Sequence, residues 1–323
     1  NRGAKHARGK FLVLLNNDTQ VTDGWLDELI DTFGQDSKTG LVGARLVYPD
    51  GRLQESGGII FNDASGWNYG RDDDAERPDY HYLREVDYCS GACIALKTAY
   101  FHELGDLDER YSPAYYEDTD LAFKVRESGK KVMVQPWSVV IHHEGVTSGT
   151  DTSSGTKKYQ LINQEKFLDR WQSELESQPQ PVPNPHDRLA IRKAIHHRNK
   201  GQILFIDAST PEPDQDSGSV RLTNLMHICR DLGFGVTFFA DNRAYAGKYT
   251  RDLQRTGIEV LYHPWMVSLS DFFRSRGQEF DYIVISRHYV AINYVLMLKR
   301  YCPDARFIFD TVDLHYLREL RLA

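Results

Sequence analysis

The chain has 323 residues, of which 41% are apolar and 12% aromatic, and its formal net charge is -7. Its length predicts about two domains, and its acidic balance argues against nucleic-acid binding, which uses a basic surface. No apolar run in the sequence approaches the ~18 residues of a membrane span. Only two of the four cysteines, Cys89 and Cys93, are close together, which favours free thiols in a cytoplasmic protein over a zinc site.

The first elements in chain order are a strand, a helix and a second strand. Residues 11–15 are apolar without alternation, which predicts a fully buried strand. Residues 22–34 show helical spacing between a Thr-Asp cap and a glycine stop. A strand begins at Thr39 and ends in the turn at residues 49–51. Residues 62–84 are polar and turn-rich, which predicts a long surface loop.

Strands and helices continue to alternate further along the chain. Residues 86–105 predict a strand and then a helix. A capped helix begins near Asp118 and stops at Gly129, two strand-like runs reach His143, and a helix ends near Trp171.

The second half of the chain repeats the alternation after a proline-rich linker. Residues 173–187 carry the linker, and a basic helix follows over residues 188–201. From residue 202 to residue 310, strand patterns alternate with helical patterns. This alternation predicts a parallel, doubly wound sheet.

Three polar clusters stand at the ends of predicted elements: Asn16-Asn17-Asp18, Glu117-Asp118-Thr119-Asp120 and His142-His143-Glu144. Each has a plain structural explanation, as a turn, a helix cap or a solvated histidine pair. In open α/β sheets, however, ligands gather at the carboxyl ends of strands, where two of the clusters fall. We therefore expect Asp18 and His142 to lie within about 8 Å, close enough for one divalent cation to bridge them.

The segments NRGAKHARGKFLVLLNNDTQV, SGACIALKTAYFHELGDLDERY and YYEDTDLAFKVRESGKKVMVQPWSVVIHHEG together resemble family 2 glycosyltransferases, which have a GT-A fold. The resemblance covers residues 1 to about 170. It implies Mn²⁺ or Mg²⁺ as cofactor. The implied roles are metal ligands Asp18 and His142, donor-binding Asn16 and Asn17, catalytic base Asp118, and acceptor-binding Glu117, Ser90 and Gly91. Asn16 departs from the family's Asp-x-Asp motif, and an amide is a poorer ligand for a hard cation than a carboxylate.

Residues 201–323 resemble the first half of GT-B glycosyltransferases of the family 4 type. The segments that carry this likeness are ILFIDASTPEPDQDSGSVRLTNLMHICRDLGFGVTFFADN and FIFDTVDLHYLREL. The likeness implies a Rossmann-like acceptor domain whose cleft includes Gly218, Ser219, Arg221 and Asp313. Free N–H groups at a helix start can bind an anion, although an ordinary turn and cap also explains Gly218 and Ser219.

The expected fold class is thus α/β. A partial GT-A domain with a Rossmann-like mixed sheet, residues 1–172, is followed by a linker and basic helix, residues 173–200, and a truncated GT-B N-terminal domain, residues 201–323. The resemblance implies that the family's nucleoside-binding part precedes this chain, so the chain alone is expected to be inactive and to leave a sheet edge open at residues 11–15.

The implied function is transfer of a sugar from a nucleotide sugar to a glycan acceptor in polysaccharide biosynthesis, by metal-assisted inverting displacement. Peripheral membrane association and the oligomeric state stay open. One alternative is a non-catalytic carbohydrate-binding scaffold. Another is a hydrolase that uses Asp118 with Glu117 or Asp120, although these lie on one short segment and a hydrolase needs carboxyl groups that flank the bond.

Overall fold

The computed structural model describes residues 1–143, 158–184 and 186–311. Two compact units form: the first contains Asn1–Glu76 and Leu83–Pro183, and the second contains Arg77–Tyr82 and Asn184–Ala323. The short segment Arg77–Tyr82 therefore packs with a part of the chain that follows it by more than 100 residues.

The first unit is built on a mixed sheet, with helices packed against it. Its strands are β1 (Phe11–Leu15), β2 (Thr19–Val21), β3 (Thr39–Val47), β4 (Leu53–Glu55), β5 (Gly58–Ile60), β6 (Gly66–Asn68), β7 (Arg84–Glu85), β8 (Cys93–Lys97) and β9 (Lys131–His142). Its helices are α1 (Trp25–Gln35), α2 (Thr98–Glu103), α3 (Glu117–Glu127), α4 (Lys158–Arg170) and α5 (Gln172–Leu175).

The sheet of the first unit has the order β1-β8-β3-β9-β2, with β4 on β3 and β7 on β9, and a separate hairpin joins β5 to β6. Only the β3–β9 pair is parallel among these described pairings. All nine residues of β3 are buried because neighbouring strands flank it on both sides. Gly43 is required there, since a Cβ atom would lie 2.2 Å from Cβ of Cys89.

Two predictions for the first unit are wrong in part. Strand β1 exists at the predicted residues, but only Leu12 in it is buried, because β1 lies at the edge of the sheet and pairs with β8 alone. The predicted surface loop at residues 62–84 contains β6, and its aromatic residues Tyr69, Tyr80 and Tyr82 are buried. Polar neighbours in the sequence masked the packing of these rings.

The second unit has a parallel sheet. Its strands are β10 (Gln202–Asp207), β11 (Gly235–Ala240), β12 (Glu259–Leu261), β13 (Tyr282–Ser286) and β14 (Arg306–Asp310), in the order β12-β11-β10-β13-β14. Its helices are α6 (Arg188–Ile195), α7 (Ser217–Asp231), α8 (Lys248–Arg255), α9 (Leu269–Arg276) and α10 (His288–Tyr301). The predicted parallel sheet of this half is confirmed.

Candidate active site

Asp18 and His142 meet where β2 pairs with β9. Asp18 directly precedes β2, and the antiparallel register places Thr19 opposite His142, the last residue of β9. The imidazole Nε2 lies 3.4 Å from Asp18 Oδ1. The predicted proximity is therefore confirmed, but an antiparallel pairing brings the two side chains together rather than neighbouring parallel strand ends.

Gln54 on β4 fixes the orientation of the His142 ring. Its side-chain oxygen Oε1 lies 3.0 Å from His142 Nδ1. An amide oxygen can only accept a hydrogen bond, so Nδ1 donates to it, and Nε2 is the ring nitrogen that faces Asp18. Gln54 is 3% exposed, and no sequence pattern marks it because it lies in a short strand of mixed polarity.

Asp118 is held as a carboxylate acceptor at the start of α3. Its Oδ2 accepts the N–H of Gly91 at 2.8 Å, and its Oδ1 accepts the N–H of Thr119 at 2.7 Å and the Thr119 hydroxyl at 3.2 Å. Burial raises the pKa of Asp118, and these donors oppose that rise by stabilising the charged form. The approach is close, since a Cβ atom at Gly91 would lie 3.3 Å from Cβ of Asp118 and press against it.

Glu117 differs from its neighbour in its surroundings. Its Oε2 is buried and has no hydrogen-bond partner in the described structure. Burial, followed by the charge of Asp118, raises the pKa of Glu117 to about 7. The pKa values of two adjacent carboxyl groups are thus both raised by burial, and such perturbed pKa values are typical of acid–base sites.

The loop at Ser90–Ala92 links the two groups of side chains. Besides the bond from Gly91 to Asp118, the N–H of Ser90 donates to Glu55 Oε1 at 2.9 Å and the carbonyl of Ala92 accepts the N–H of Asn16 at 3.0 Å. Asn16 and Asn17 themselves are exposed. This loop therefore contacts both the segment that begins at Asn16 and the start of α3.

Asp120 belongs to the core rather than to the site. It is fully buried, and its Oδ1 accepts the indole N–H of Trp171 at 2.9 Å and lies 3.2 Å from Nε of Arg170. Lys124 pairs with its other oxygen at 3.3 Å. These partners give Asp120 a structural role, joining α3 to α4 and α5.

The residues predicted for the second-unit cleft lie near the start of α7. The N–H of Ser219 donates to the capping side chain of Asp216 at 2.8 Å, next to Gly218, and Arg221 pairs with Asp310 at 2.5 Å. Asp313 lies outside the described residues. An anion would have to compete with these carboxylates, and the cleft role of these residues stays a prediction.

The side chains of Asp18 and His142 suit a cation whose remaining ligands come from a substrate. In the described part of the chain, no three His, Cys, Asp or Glu side chains are grouped to hold a metal, and Glu144 falls outside it. Mg²⁺ is usually held by one or two protein carboxylates together with substrate phosphates. One carboxylate and one oriented imidazole therefore fit such a site, with the remaining ligands left to a diphosphate and water.

Comparisons with known proteins find a family match in the first part of the chain. Residues 1–105 match the family model described as glycosyl transferase family 2. The match covers 105 of the 323 residues. The match contains Asn16, Asp18, Ser90 and Gly91, and it ends before Glu117, Asp118 and His142.

Two curated relatives are each similar to a little under half of the chain. The O-antigen biosynthesis protein RfbC of Myxococcus xanthus is 31% identical over 157 residues, which are 47% of this chain and 12% of that protein. The N-acetylglucosaminyl-diphospho-decaprenol L-rhamnosyltransferase of Mycobacterium tuberculosis is 27% identical over 158 residues, which are 45% of this chain and 50% of that protein. The chain thus spans half or less of the length of these relatives.

Among solved structures, the crystal structure of GalNAc-T7 with UDP, GalNAc and Mn²⁺ is similar to 55% of this chain and 34% of that chain, at 18% identity and a TM-score of 0.41. The likeness of residues 201–323 to a GT-B domain stays a prediction. No helix in the described residues combines the length and apolarity needed to cross a membrane.

Proposed function

We propose that the first unit transfers a sugar from a nucleotide-sugar donor to a glycan acceptor, with inversion at the anomeric carbon and with help from Mn²⁺ or Mg²⁺. The observation that carries the proposal is the meeting of Asp18 and His142 at 3.4 Å, in a unit whose residues 1–105 match the glycosyl transferase family 2 model. The relatives, whose names give L-rhamnosyltransferase and O-antigen biosynthesis, support polysaccharide assembly as its context.

In this proposal Asp118 accepts the proton of the attacking acceptor hydroxyl. The donors from Gly91 and Thr119 fix the direction of the carboxylate and favour its charged form. A single base is enough for one inverting displacement, whereas a glycosidase needs two carboxyl groups on either side of the bond. Glu117 is adjacent to Asp118 in the chain, and Asp120 is buried in ion pairs, so this geometry favours transfer over hydrolysis.

Asp18 and His142 would hold the cation, with Gln54 keeping the His142 ring in its binding orientation. Such a cation would stabilise the negative charge that develops on the departing diphosphate. The exposed Asn16 and Asn17 lie next to this pair, where their amide groups would contact the donor.

Calorimetric titration of the chain with Mn²⁺ and UDP tests the proposal. We expect UDP to bind more tightly when Mn²⁺ is present, and the Asp18→Asn variant to weaken Mn²⁺ binding about tenfold or more, because a ligating carboxylate is lost. The matched control is Asp23→Asn, which removes an exposed carboxylate five residues further along.

Two results would contradict the proposal in different ways. UDP binding that is independent of Mn²⁺ and of Asp18 would exclude the cation site. Normal Mn²⁺-dependent UDP binding without sugar transfer, both here and in a longer protein that carries these residues, would instead favour a non-catalytic carbohydrate-binding scaffold.

A further inference from the structure

The turn that precedes α3 has an unfavourable backbone conformation. Tyr115 and Tyr116 have φ angles of 74° and 73°, in the left-handed region that non-glycine residues rarely adopt. Such a residue is energetically unfavourable and persists only where its surroundings hold it. The next two residues in the chain are Glu117 and Asp118, so the turn stands directly before the carboxyl groups of the candidate site.

Asn163 on α4 supplies the contacts that hold this turn. Its Nδ2 donates to the carbonyl oxygens of Tyr111, Ala114 and Tyr115 at 2.7, 2.8 and 3.0 Å. The side chain is fully buried, and its Oδ1 accepts a hydrogen bond from Lys166 at 2.9 Å. The two hydrogens of this amide thus serve three carbonyl oxygens of a non-repetitive segment, one hydrogen being shared between two of them.

The conformation at Tyr115 and Tyr116 determines where helix α3 begins. The carbonyl of Tyr116 accepts the N–H of Asp120 at 2.8 Å, which is the first helical hydrogen bond of α3. The Tyr116 hydroxyl donates to the carbonyl of Ala64 at 2.8 Å, and its ring packs 5.3 Å from that of Phe167. A change at Tyr115 or Tyr116 would therefore rotate the first turn of α3 and move Glu117 and Asp118.

We infer that Asn163 is a positioning residue of the site: its amide holds the left-handed turn at Tyr115 and Tyr116, and so fixes where the carboxyl groups of Glu117 and Asp118 point. The inference rests on the proposed function for its catalytic consequence. Its structural consequence, the burial of the Glu117 carboxyl group, holds independently of transfer.

The test compares Asn163→Ala with Gln164→Ala, a matched control on the same helix whose side chain donates to the exposed carbonyl of Asp63 at 3.2 Å. Carbon-13 NMR of labelled Glu carboxyl groups, with Glu117 assigned through Glu117→Gln, follows the titration of that side chain. In the folded Asn163→Ala variant, the pKa of Glu117 should fall from about 7 towards its ordinary value of 4.5, because the relaxed turn lets water reach it.

A second experiment measures sugar transfer, either in this chain or in a longer active protein that contains the same residues. Asn163→Ala should lower kcat about 10–100-fold, with KM for the donor within about twofold, because misplaced groups lose alignment rather than donor contacts. The double variant with Tyr115→Gly should recover much of both properties, since glycine adopts a positive φ without being held.

A folded Asn163→Ala variant that keeps the pKa of Glu117 and the rate of transfer would overturn the inference. If Asn163→Ala does not fold, the double variant decides: it should fold, and its failure to fold would show that Asn163 does more than hold this turn. A wild-type chain that never transfers sugar would count against the proposed function alone, because the pKa measurement judges Asn163 without it.

Discussion

Glu117 and Asp118 are adjacent carboxyl groups with different environments, and the difference is one of donors. Asp118 accepts two backbone N–H groups and a hydroxyl, which compensate its charge, whereas Oε2 of Glu117 is buried without a partner. A charge on Glu117 is therefore costly, and the group keeps its proton to a higher pH. The donors thus favour the ionised form of Asp118, which is the form in which a carboxyl group can accept a proton, whereas Glu117 keeps its proton to a higher pH.

The raised pKa of Glu117 predicts a pH dependence of stability. Because its pKa rises from 4.5 to about 7 on folding, the folded state binds the proton more tightly, and stability falls as pH increases from about 4.5 to 7. Glu117→Gln, which mimics the protonated form, should match the wild type at pH 4 and exceed its free energy of unfolding by about 2–3 kcal/mol at pH 8.

Urea unfolding of both proteins across this pH range measures the effect. Glu127→Gln, an exposed position at the end of the same helix, is the control and should change the pH dependence little. Equal stability of Glu117→Gln and wild type at every pH would show that the carboxyl group is hydrated in the folded protein.

Sequence patterns located some of the site residues and missed others for a physical reason. Asp18 and His142 stand at element ends, where polar residues after apolar runs are conspicuous. Gln54 and Asn163 act through tertiary contacts, and each looks like an ordinary polar residue within a strand or a helix. Their burial, at 3% and 0% exposure, is a property of the fold that no local pattern encodes.

At the scale of secondary structure, helix α6 shows how a tertiary contact reverses a local interpretation. The sequence predicts a basic helix after the linker, but Arg192 in it is only 4% exposed. Its guanidinium pairs with Glu259 at 2.8 Å and with Glu279 at 2.7 Å, and Arg276 pairs with both carboxylates at 2.7 and 2.5 Å. The helix is anchored by this buried network, as well as by its apolar face.

The network makes a prediction about Arg192. Burial alone would raise the pKa of Glu259, but Arg192 and Arg276 outweigh it and hold the pKa well below its usual range. Removing one partner leaves buried charge uncompensated, so Arg192→Met should destabilise the second unit by about 3–5 kcal/mol. Lys193→Met, at an exposed position of the same helix, should change stability by less than about 0.5 kcal/mol.

Unfolding in urea, followed by fluorescence of Trp265 in the second unit, provides the measurement. The double variant Arg192→Met with Glu259→Gln should regain part of the loss, because it removes a charge that has lost one of its partners. Similar midpoints for Arg192→Met and Lys193→Met would mean that the network contributes little to folding.

The strands and helices were largely predictable because their signals are local, and their arrangement was predictable only in the second unit. Alternating strands and helices dictate a parallel sheet, and β10 to β14 follow that rule. In the first unit, β1 and β3 flank β8 and pair with it in antiparallel fashion. That pairing depends on long-range register, which the burial of single runs does not reveal.

At the scale of the whole molecule, the two units are not consecutive segments of chain. Arg77–Tyr82 belongs to the second unit, although residues on both sides of it belong to the first. Within the second unit, Asp79 lies 3.4 Å from Arg192 and 3.9 Å from Arg276, and the ring of Trp265 lies 5.6 Å from the Arg77 guanidinium. The chain thus passes from one unit to the other three times, and one of these passages lies in the proline-rich segment.

Because Arg77–Tyr82 belongs to the second unit, we predict that its tyrosines become protected from proteolysis only after that unit has been synthesised. Tyr80 and Tyr82 are each 6% exposed in the folded protein, and chymotrypsin cleaves after exposed tyrosines. In ribosome-bound chains that have emerged only to residue 183, we expect chymotrypsin to cleave after both Tyr80 and Tyr82. In the complete chain, we expect both sites to be protected. Tyr111, which is buried within the first unit, serves as the internal control and should resist in both; equal resistance of Tyr80 in the two chains would refute the prediction.

Residues Arg77–Tyr82 are therefore synthesised well before most of the unit with which they pack. Translation adds ~5–20 residues per second. Arg276, a partner of Asp79, is therefore synthesised roughly 10–40 seconds after Asp79. Throughout that interval the aromatic segment Arg77–Tyr82 of the nascent protein lacks the residues of the second unit with which it packs, and a chaperone or a protease can reach it first. The rate of translation thereby becomes a variable in the yield of folded molecules, and slowing it between residues 183 and 276 should cost more protein than slowing it elsewhere.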